Sequence, residues 1–250
     1  MPSIDINCDM GESFGAWVMG QDTALMPHIT AANIACGFHA GDPDVMLATV
    51  RCAIEHKVAI GAHPGLPDLQ GFGRRAMAMT ADEIYALVVY QVGAMQAVAR
   101  SQGGKLHHVK THGALYNMTA RDPALADAVA RAVADVDPSL PMYVANAPMA
   151  KATLERGLKP VYEIYADRTY QDDGTLTPRS QPHAMIEDVD QAIAQVKRMV
   201  KDGVVRALSG KEVPIKADTL CIHGDQPGAA VFARNIRAAL EAEGIEVRTV

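Results

Sequence analysis

A repeated rhythm runs along the whole sequence: a short apolar run, a polar Gly-rich turn, and then an amphipathic helical stretch. Strands that alternate with helices in this way form parallel sheets, because two parallel neighbours need a crossover between them. About seven such runs fit an α/β fold of the (β/α)-barrel type better than an open doubly wound sheet. The predicted strands cover residues 3–8, 32–36, 58–62, 106–110, 142–145, 161–165 and 219–223.

Helix signals fill most of the gaps between these strands. Asp42 and Pro43 supply an N-cap and a first helical position for a helix over residues 44–56, and residues 80–83 form a capping box. Further helices are predicted over residues 184–201 and 228–243, and a last short strand over residues 245–250. Residues 204–216 form either a hairpin or an irregular excursion. Because 250 residues is a typical length for one barrel, we expect a single domain over residues 1–250.

Composition and charge narrow the class of protein. The net charge of −6 and the scattered Lys and Arg argue against nucleic acid or an anionic membrane as the main partner. We expect no signal peptide and no membrane span, because the N-terminus lacks a basic apolar leader and no run of about 18 apolar residues occurs. The four cysteines show no C-x-x-C spacing, which indicates reduced thiols in a cytoplasmic protein.

Alternation within the strands places their polar residues on one face. Successive side chains of a strand point to opposite sides, so the polar face should point into the barrel. Unpaired charge is costly to bury, and stability alone does not require so many interior acids and histidines. In barrels the active site lies at the carboxyl ends of the strands. The candidate residues at these ends are Asn7, Asp9, Glu12, His39, His63, Lys110, His112, Asp167, His223 and Asp225.

Catalytic roles follow from the residue types. Asp9 and Glu12 can act as base and acid or hold a metal, and His223 with a nearby acid suits a general base. Lys110 beside His112 suits an anion anchor or a tuned acid–base pair. We therefore expect these five residues to be catalytic.

Binding roles are expected for the remaining candidates: Asn7, His39, His63, Asp167, Asp225 and the adjacent Arg74 and Arg75. Paired arginines suit a carboxylate or a phosphate, although a surface ion pair is the alternative. Converging His and Asp side chains also suit a divalent metal, for which Asp9, His39 and His63 are the candidates.

Four other residues receive a structural interpretation. Asp42 is expected to cap a helix, and His107 to face the helix layer. His108 can be a hydrogen-bonded core histidine, and Asp167 can form an ion pair with Arg168. No P-loop, G-x-S-x-G or H-E-x-x-H motif occurs, so nothing in the sequence supports those phosphate-binding, serine-nucleophile or zinc-protease chemistries.

Seven motifs, in order along the chain, resemble the LamB/YcsF family, whose bacterial members form the A-type subunit of 5-oxoprolinase. The motifs are NCDMGE at 7–12, ANIACGFHAGDP at 32–43, GAHPG at 61–65, GFGRR at 71–75, HGALYN at 112–117, ADR at 166–168 and HGD at 223–225. The chain departs locally from the family pattern, with Thr111 where Pro is usual and His183 where Gly is common.

The resemblance implies a barrel related to those of glycoside hydrolases and polysaccharide deacetylases. It implies ATP-dependent opening of 5-oxoproline to glutamate, with ATP as a co-substrate of a complex that contains two companion subunits, B and C. It also implies a common site that contains Asp9, Glu12, His39, His63, Lys110, His112 and His223.

Two other functions stay open at this point. One is a metal-dependent hydrolase, such as a deacetylase, acting on another C–N bond. The other is a non-catalytic subunit that binds a lactam or a sugar. A homo-oligomer is compatible with each of these functions.

Overall fold

The structure, a computed structural model, describes residues 2–224 and 228–250. Seven parallel strands close into a barrel in the order β1-β2-β3-β4-β5-β6-β9, and β9 pairs with β1 to complete the ring. The predicted (β/α) barrel is confirmed. The strands are β1 (Ser3–Met10), β2 (Ala31–Ala35), β3 (Ala59–His63), β4 (Leu106–Val109), β5 (Met142–Val144), β6 (Pro160–Tyr165), β7 (Val204–Arg206), β8 (Glu212–Pro214), β9 (Thr219–Ile222) and β10 (Glu246–Val247).

Helices surround the barrel, and their caps follow the sequence signals. The Asp42 side chain accepts hydrogen bonds from the backbone N–H groups of Asp44 and Val45, and Thr80 and Glu83 form a complete capping box. Within the described residues, no helix has both the length and the apolar character that a membrane crossing requires. The helices are α1 (Asp22–Leu25), α2 (Pro43–Glu55), α3 (Ala81–Ser101), α4 (Gly113–Thr119), α5 (Pro123–Val136), α6 (Ala147–Glu155), α7 (Val189–Asp202) and α8 (Ala229–Ala242).

The predicted helix over residues 184–201 begins later than expected. Asp188 is the N-cap of α7, and its side chain accepts a hydrogen bond from the N–H of Gln191. Ile186 matches the apolar stripe of α7 but is buried from an irregular segment, next to a bridge between Arg168 and Met185. A capping aspartate therefore ended the helix where hydrophobic periodicity alone would have continued it.

Residues 204–216 contain the antiparallel hairpin β7-β8, which decides between the two interpretations of this segment. The last strand is shorter than predicted, because only Glu246 and Val247 pair with β1. Helices α4 and α6 were not predicted. With seven and nine residues, they are too short for a clear periodic pattern.

The alternation expected for the strands is present. Ile4, Ile6, Cys8 and Met10 of β1 join the hydrophobic core between barrel and helices, while the intervening side chains form hydrogen bonds across the barrel. Strand register aligns Asp9 with Asn33, Gly61 and His108 in one interior layer. Gly61 is required in this layer, because a Cβ there would lie 2.1 Å from Nε2 of His108.

Candidate functional site

A buried lysine lies at the centre of the barrel mouth. Lys110 is 3% exposed, and its Nζ lies 2.8 Å from Oε1 of Glu163 and 3.1 Å from Oδ1 of Asp9. Burial opposes the charged form, but Asp9, Cys221 and Glu163 raise the pKa of Lys110 well above its usual value. Lys110 is therefore an ammonium at neutral pH, which can stabilise an anion and cannot act as a base.

Asp9 is held as a carboxylate. Burial acts to raise its pKa, but His63 and Lys110 bring the pKa well below the usual value. Asn33 donates a hydrogen bond of 2.8 Å to Oδ1 of Asp9, and Oδ2 lies 3.4 Å from Nε2 of His63. Asp9 can accept hydrogen bonds from a substrate or a water, but its low pKa makes it a weak base.

Glu163 joins this network from the opposite side of the barrel. Tyr165 and Tyr116 each direct a hydroxyl to its Oε2, at 2.6 and 3.1 Å, and Asn7 donates to Oε1. Burial, reinforced by the Glu163 charge, raises the pKa of both tyrosine hydroxyls, so both remain donors. Glu163 was not among the predicted site residues, although it shares its strand parity with Tyr165.

His223 and Asp167 form a pair at the cavity wall. Nδ1 of His223 lies 3.2 Å from Oδ2 of Asp167, and each side chain is 15% exposed. This contact gives the proton of the neutral imidazole to Nδ1 and leaves Nε2 as an acceptor, which is the arrangement of a carboxylate-oriented general base. Asp167 thus contacts His223, while Arg168 donates to the carbonyl of Thr177 at 2.6 Å.

A second cluster lies beside Asp9 and consists of Glu12, His39, His63 and His112. Their potential ligand atoms all lie within 4.8 Å of one another, and all four residues are buried. Oε1 of Glu12 is 3.9 Å from Nε2 of His39 and 3.9 Å from Nδ1 of His112. Such a group could hold a metal ion. It shares His39 and His63 with the predicted metal set, whereas Asp9 lies at its edge.

Hydrogen bonds determine the tautomers of two of these histidines. Nδ1 of His63 lies 2.7 Å from the Lys110 carbonyl, and Nε2 of His112 lies 2.7 Å from the Phe72 carbonyl. A carbonyl only accepts, so each of these nitrogens carries a proton. The remaining nitrogens, Nε2 of His63 and Nδ1 of His112, face each other at 3.0 Å. In the neutral pair both are acceptors, and only a shared proton or a metal ion makes the contact favourable.

His39 completes the cluster without a hydrogen bond to either ring nitrogen, although it is 1% exposed. Burial, reinforced by the neighbouring histidines, lowers its pKa well below the usual value. Its ring stacks on that of His112 with 3.7 Å between centroids and 4° between planes. Because lone pairs of stacked rings run parallel, His39 would have to turn before it could share one metal ion with His112.

A cavity of about 260 Å³ opens above the lysine network and the His223–Asp167 pair. Arg74 lines it, whereas Arg75 forms an ion pair with Asp68 and lines a separate depression. Asp225 lies outside the described residues. Arg168 and Arg179 also reach the cavity, from an irregular segment whose path the sequence did not reveal. Its other polar lining side chains are Asp9, His63, Lys110, Thr111, His112, Tyr116, Asn117, Tyr165 and His223.

Similar proteins agree on one family. The LamB/YcsF family profile matches residues 4–250. A relative in Bordetella bronchiseptica, named as the second A-type subunit of 5-oxoprolinase in that organism, is 87% identical over 250 residues and 100% of both chains. The crystal structure of the lactam utilization protein from Thermus thermophilus has a TM-score of 0.96 at 47% identity, covering 99% of this chain and 100% of that one.

A more distant likeness concerns the fold alone. The T48 deacetylase structure has a TM-score of 0.51 at 10% identity and covers 100% of this chain and 88% of that one. The expected similarity to deacetylase barrels is thereby confirmed for the architecture. Because the family profile spans nearly the full length of the sequence, the chain belongs to the LamB/YcsF family.

Proposed function

We propose that this chain is one component of an ATP-dependent 5-oxoprolinase, which opens the lactam of 5-oxoproline to L-glutamate while ATP is hydrolysed to ADP and phosphate. The observation that carries the proposal is the cavity in which Lys110, Asp9 and His223 meet. The 87% identical relative, named as a 5-oxoprolinase subunit, supplies the substrate class. The complex contains two companion subunits, B and C, and acts in the cytoplasm, where the four free thiols of this chain stay reduced.

The chemistry explains the need for ATP. A lactam is a stable amide, and transfer of the γ-phosphoryl group of ATP to its oxygen makes C5 electrophilic. Addition of water to C5, protonation of the ring nitrogen and cleavage of the C5–N bond give γ-glutamyl phosphate. A second water then releases phosphate and leaves glutamate. The companion subunits perform or share the phosphorylation, and this chain directs water to the activated ring.

Each group has a distinct role in this scheme. His223, oriented by Asp167, takes the proton of the attacking water, because its Nε2 is the available acceptor. Lys110 stabilises the anionic tetrahedral adduct as a fixed ammonium. Asp9 orients the water, and Arg74 binds the ring carboxylate.

Glutamate release from 5-oxoproline tests the proposal. The purified chain, the two companion subunits and ATP are combined, and each component is omitted in turn. We expect glutamate and ADP only from the full mixture. No ADP-coupled glutamate from that mixture would refute the function, and full turnover by this chain alone with ATP would refute the division of labour.

A second candidate function, a metal-dependent hydrolase of another C–N bond, is favoured by the facing acceptors of His63 and His112. These two nitrogens and Glu12 would hold the metal, with Asp9 at the edge. A bound metal would polarise a carbonyl or lower the pKa of a water.

Metal content decides this candidate. Protein purified without chelator is analysed by mass spectrometry, beside His63→Gln, His112→Gln and the exposed control His56→Gln. Near-stoichiometric metal that both cluster variants lose and the control keeps would support the metal enzyme. Metal-free protein that also fails to bind added Zn²⁺ in calorimetry would exclude it.

A further inference from the structure

A groove beside the cavity gathers four arginines. It has a volume of about 490 Å³, and Arg74, Arg121, Arg168 and Arg179 line it. Among the described residues that form its lining, none is acidic. The groove and the cavity share Arg74, Arg168 and Arg179, so the two spaces are continuous. A ligand in the cavity can therefore extend an anionic group into the groove.

The arginines lie in one groove despite their like charges. Arg168 is 7% exposed and donates to the Thr177 carbonyl, whereas its buried Nε has no hydrogen-bond partner. Burial lowers the pKa of Arg168, and the Arg179 charge lowers it further. Clustered guanidinium groups repel one another unless an anion lies between them. Their planar donor arrays match phosphate oxygens, with two parallel N–H···O bonds for each arginine.

We propose that this groove binds the phosphoryl group of the phosphorylated lactam while the lactam ring occupies the cavity. This assignment rests on the proposed function, which supplies a ligand with a phosphate next to C5. The groove keeps the phosphoryl oxygens near Arg121, Arg168 and Arg179 and leaves C5 between Lys110 and His223. It also retains the acyl phosphate until the second water releases inorganic phosphate.

Inorganic phosphate is the direct probe, because it is the product that leaves this groove. Calorimetry of the isolated chain should show saturable phosphate binding. Arg121→Ala combined with Arg179→Ala should weaken it at least tenfold, and Arg234→Ala, an exposed arginine on α8, should not change it. Circular dichroism and thermal melting identify any misfolded variant, and Arg121→Lys with Arg179→Lys provides a milder charge-retaining pair with intermediate affinity. Absence of phosphate binding in the wild-type chain, or equal binding in the alanine pair, would overturn the proposal.

ATP provides a second arm of the same experiment. Binding of ATP at least tenfold tighter than phosphate, and lost in the alanine pair, would assign the groove to a nucleotide polyphosphate and overturn the lactam phosphate. In the complete complex, the alanine pair should raise the ADP formed per glutamate, because the activated lactam escapes and decays. If the wild-type complex releases no glutamate, the proposed function fails, and phosphate binding by the chain alone still tests the groove.

Discussion

At the scale of single residues, Lys110 combines a structural and a chemical role. It lies between the buried carboxylates of Asp9 and Glu163. Its replacement in Lys110→Met leaves two acids without their cation, and removal of one partner of a buried ion pair costs about 3–5 kcal/mol. We expect this loss in urea unfolding, with glutamate release by the complex reduced about 100-fold or more.

A double variant separates the two roles of Lys110. Lys110→Met with Glu163→Gln removes one of the uncompensated charges and should recover part of the lost stability. Activity should not recover, because the ammonium that stabilises the adduct is still absent. Recovery of both stability and activity in the double variant would show that Lys110 serves the fold alone.

His108 makes stability depend on pH. It is fully buried, its Nε2 lies 2.8 Å from Oδ1 of Asn33, and its ring stacks on Tyr143. Burial, with smaller contributions from His107, Lys110 and His63, lowers its pKa well below 6.5, against an opposing effect of Asp9. Above pH 6.5 both folded and unfolded states hold a neutral imidazole. Below it only the unfolded state gains the proton, so stability falls as pH falls, by about 1.4 kcal/mol per pH unit.

The measurement is the free energy of unfolding at several values between pH 7.5 and 5. His108→Gln should be less stable at every pH, yet its slope below pH 6.5 should be smaller by about one proton. The exposed control His56→Gln should keep the wild-type slope. An unchanged slope in His108→Gln would show that His108 is protonated in the folded protein.

Strand parity was a good guide at this scale, and its limits are physical. Alternation places Asp9, Lys110 and His223 at one mouth because a parallel barrel brings its carboxyl strand ends together. It does not give distances, so the separation of the lysine network from the histidine cluster emerged only from the structure. His183, which stands where the family commonly has Gly, adopts φ of 60°, a backbone conformation that local sequence did not reveal.

At the scale of secondary-structure elements, the loop after β3 holds the histidine cluster. Gly65 exchanges two hydrogen bonds of 2.9 Å with the side chain of Gln91 on α3. A Cβ on Gly65 would lie 2.4 Å from Nδ1 of His39. Gly65→Ala should therefore displace the His39 ring and cost about 1–3 kcal/mol in urea unfolding.

Gly93 on α3 is the matched control. A Cβ at Gly93 meets no atom within 4 Å, and Ala is favoured over Gly inside a helix by up to about 1 kcal/mol. Gly93→Ala should be neutral or stabilising. Equal destabilisation by both substitutions would show that close packing on His39 is not the reason for Gly65.

Elements also explain which site residues the sequence concealed. Helix α4 carries Tyr116 to Glu163, but seven residues give little periodicity to detect. Arg168 and Arg179 belong to the segment between β6 and α7, whose path depends on the bridges Arg168–Met185 and Tyr170–Leu176. Such bridges join residues that no local pattern relates, so the arginine groove could not be predicted.

At the scale of the whole molecule, chemistry and stability occupy opposite ends of the barrel. The mouth at the carboxyl strand ends holds the charged groups, whereas Ala31, Tyr143 and Val161 form a small apolar cluster near the amino ends. Val250 packs against this cluster, so the C-terminal residues cover the end remote from the site. Substitutions there should alter stability and leave ligand binding intact.

Deletion of residues 248–250 tests this division. The deletion removes the hydrogen bond from Arg248 N–H to the Ile4 carbonyl, that from Thr249 Oγ1 to the Thr30 carbonyl, and the apolar contacts of Val250. Together these contribute about 2–3 kcal/mol, which corresponds to a fall in Tm of about 5–10 °C for a chain of this length. Differential scanning calorimetry measures it, and Arg248→Ala, which removes only an exposed side chain, should leave Tm within about 2 °C. Phosphate affinity at 25 °C should be unchanged in both variants, because the arginine groove lies at the other end of the barrel. A deletion that lowered phosphate affinity while leaving Tm unchanged would contradict the assignment of the two ends.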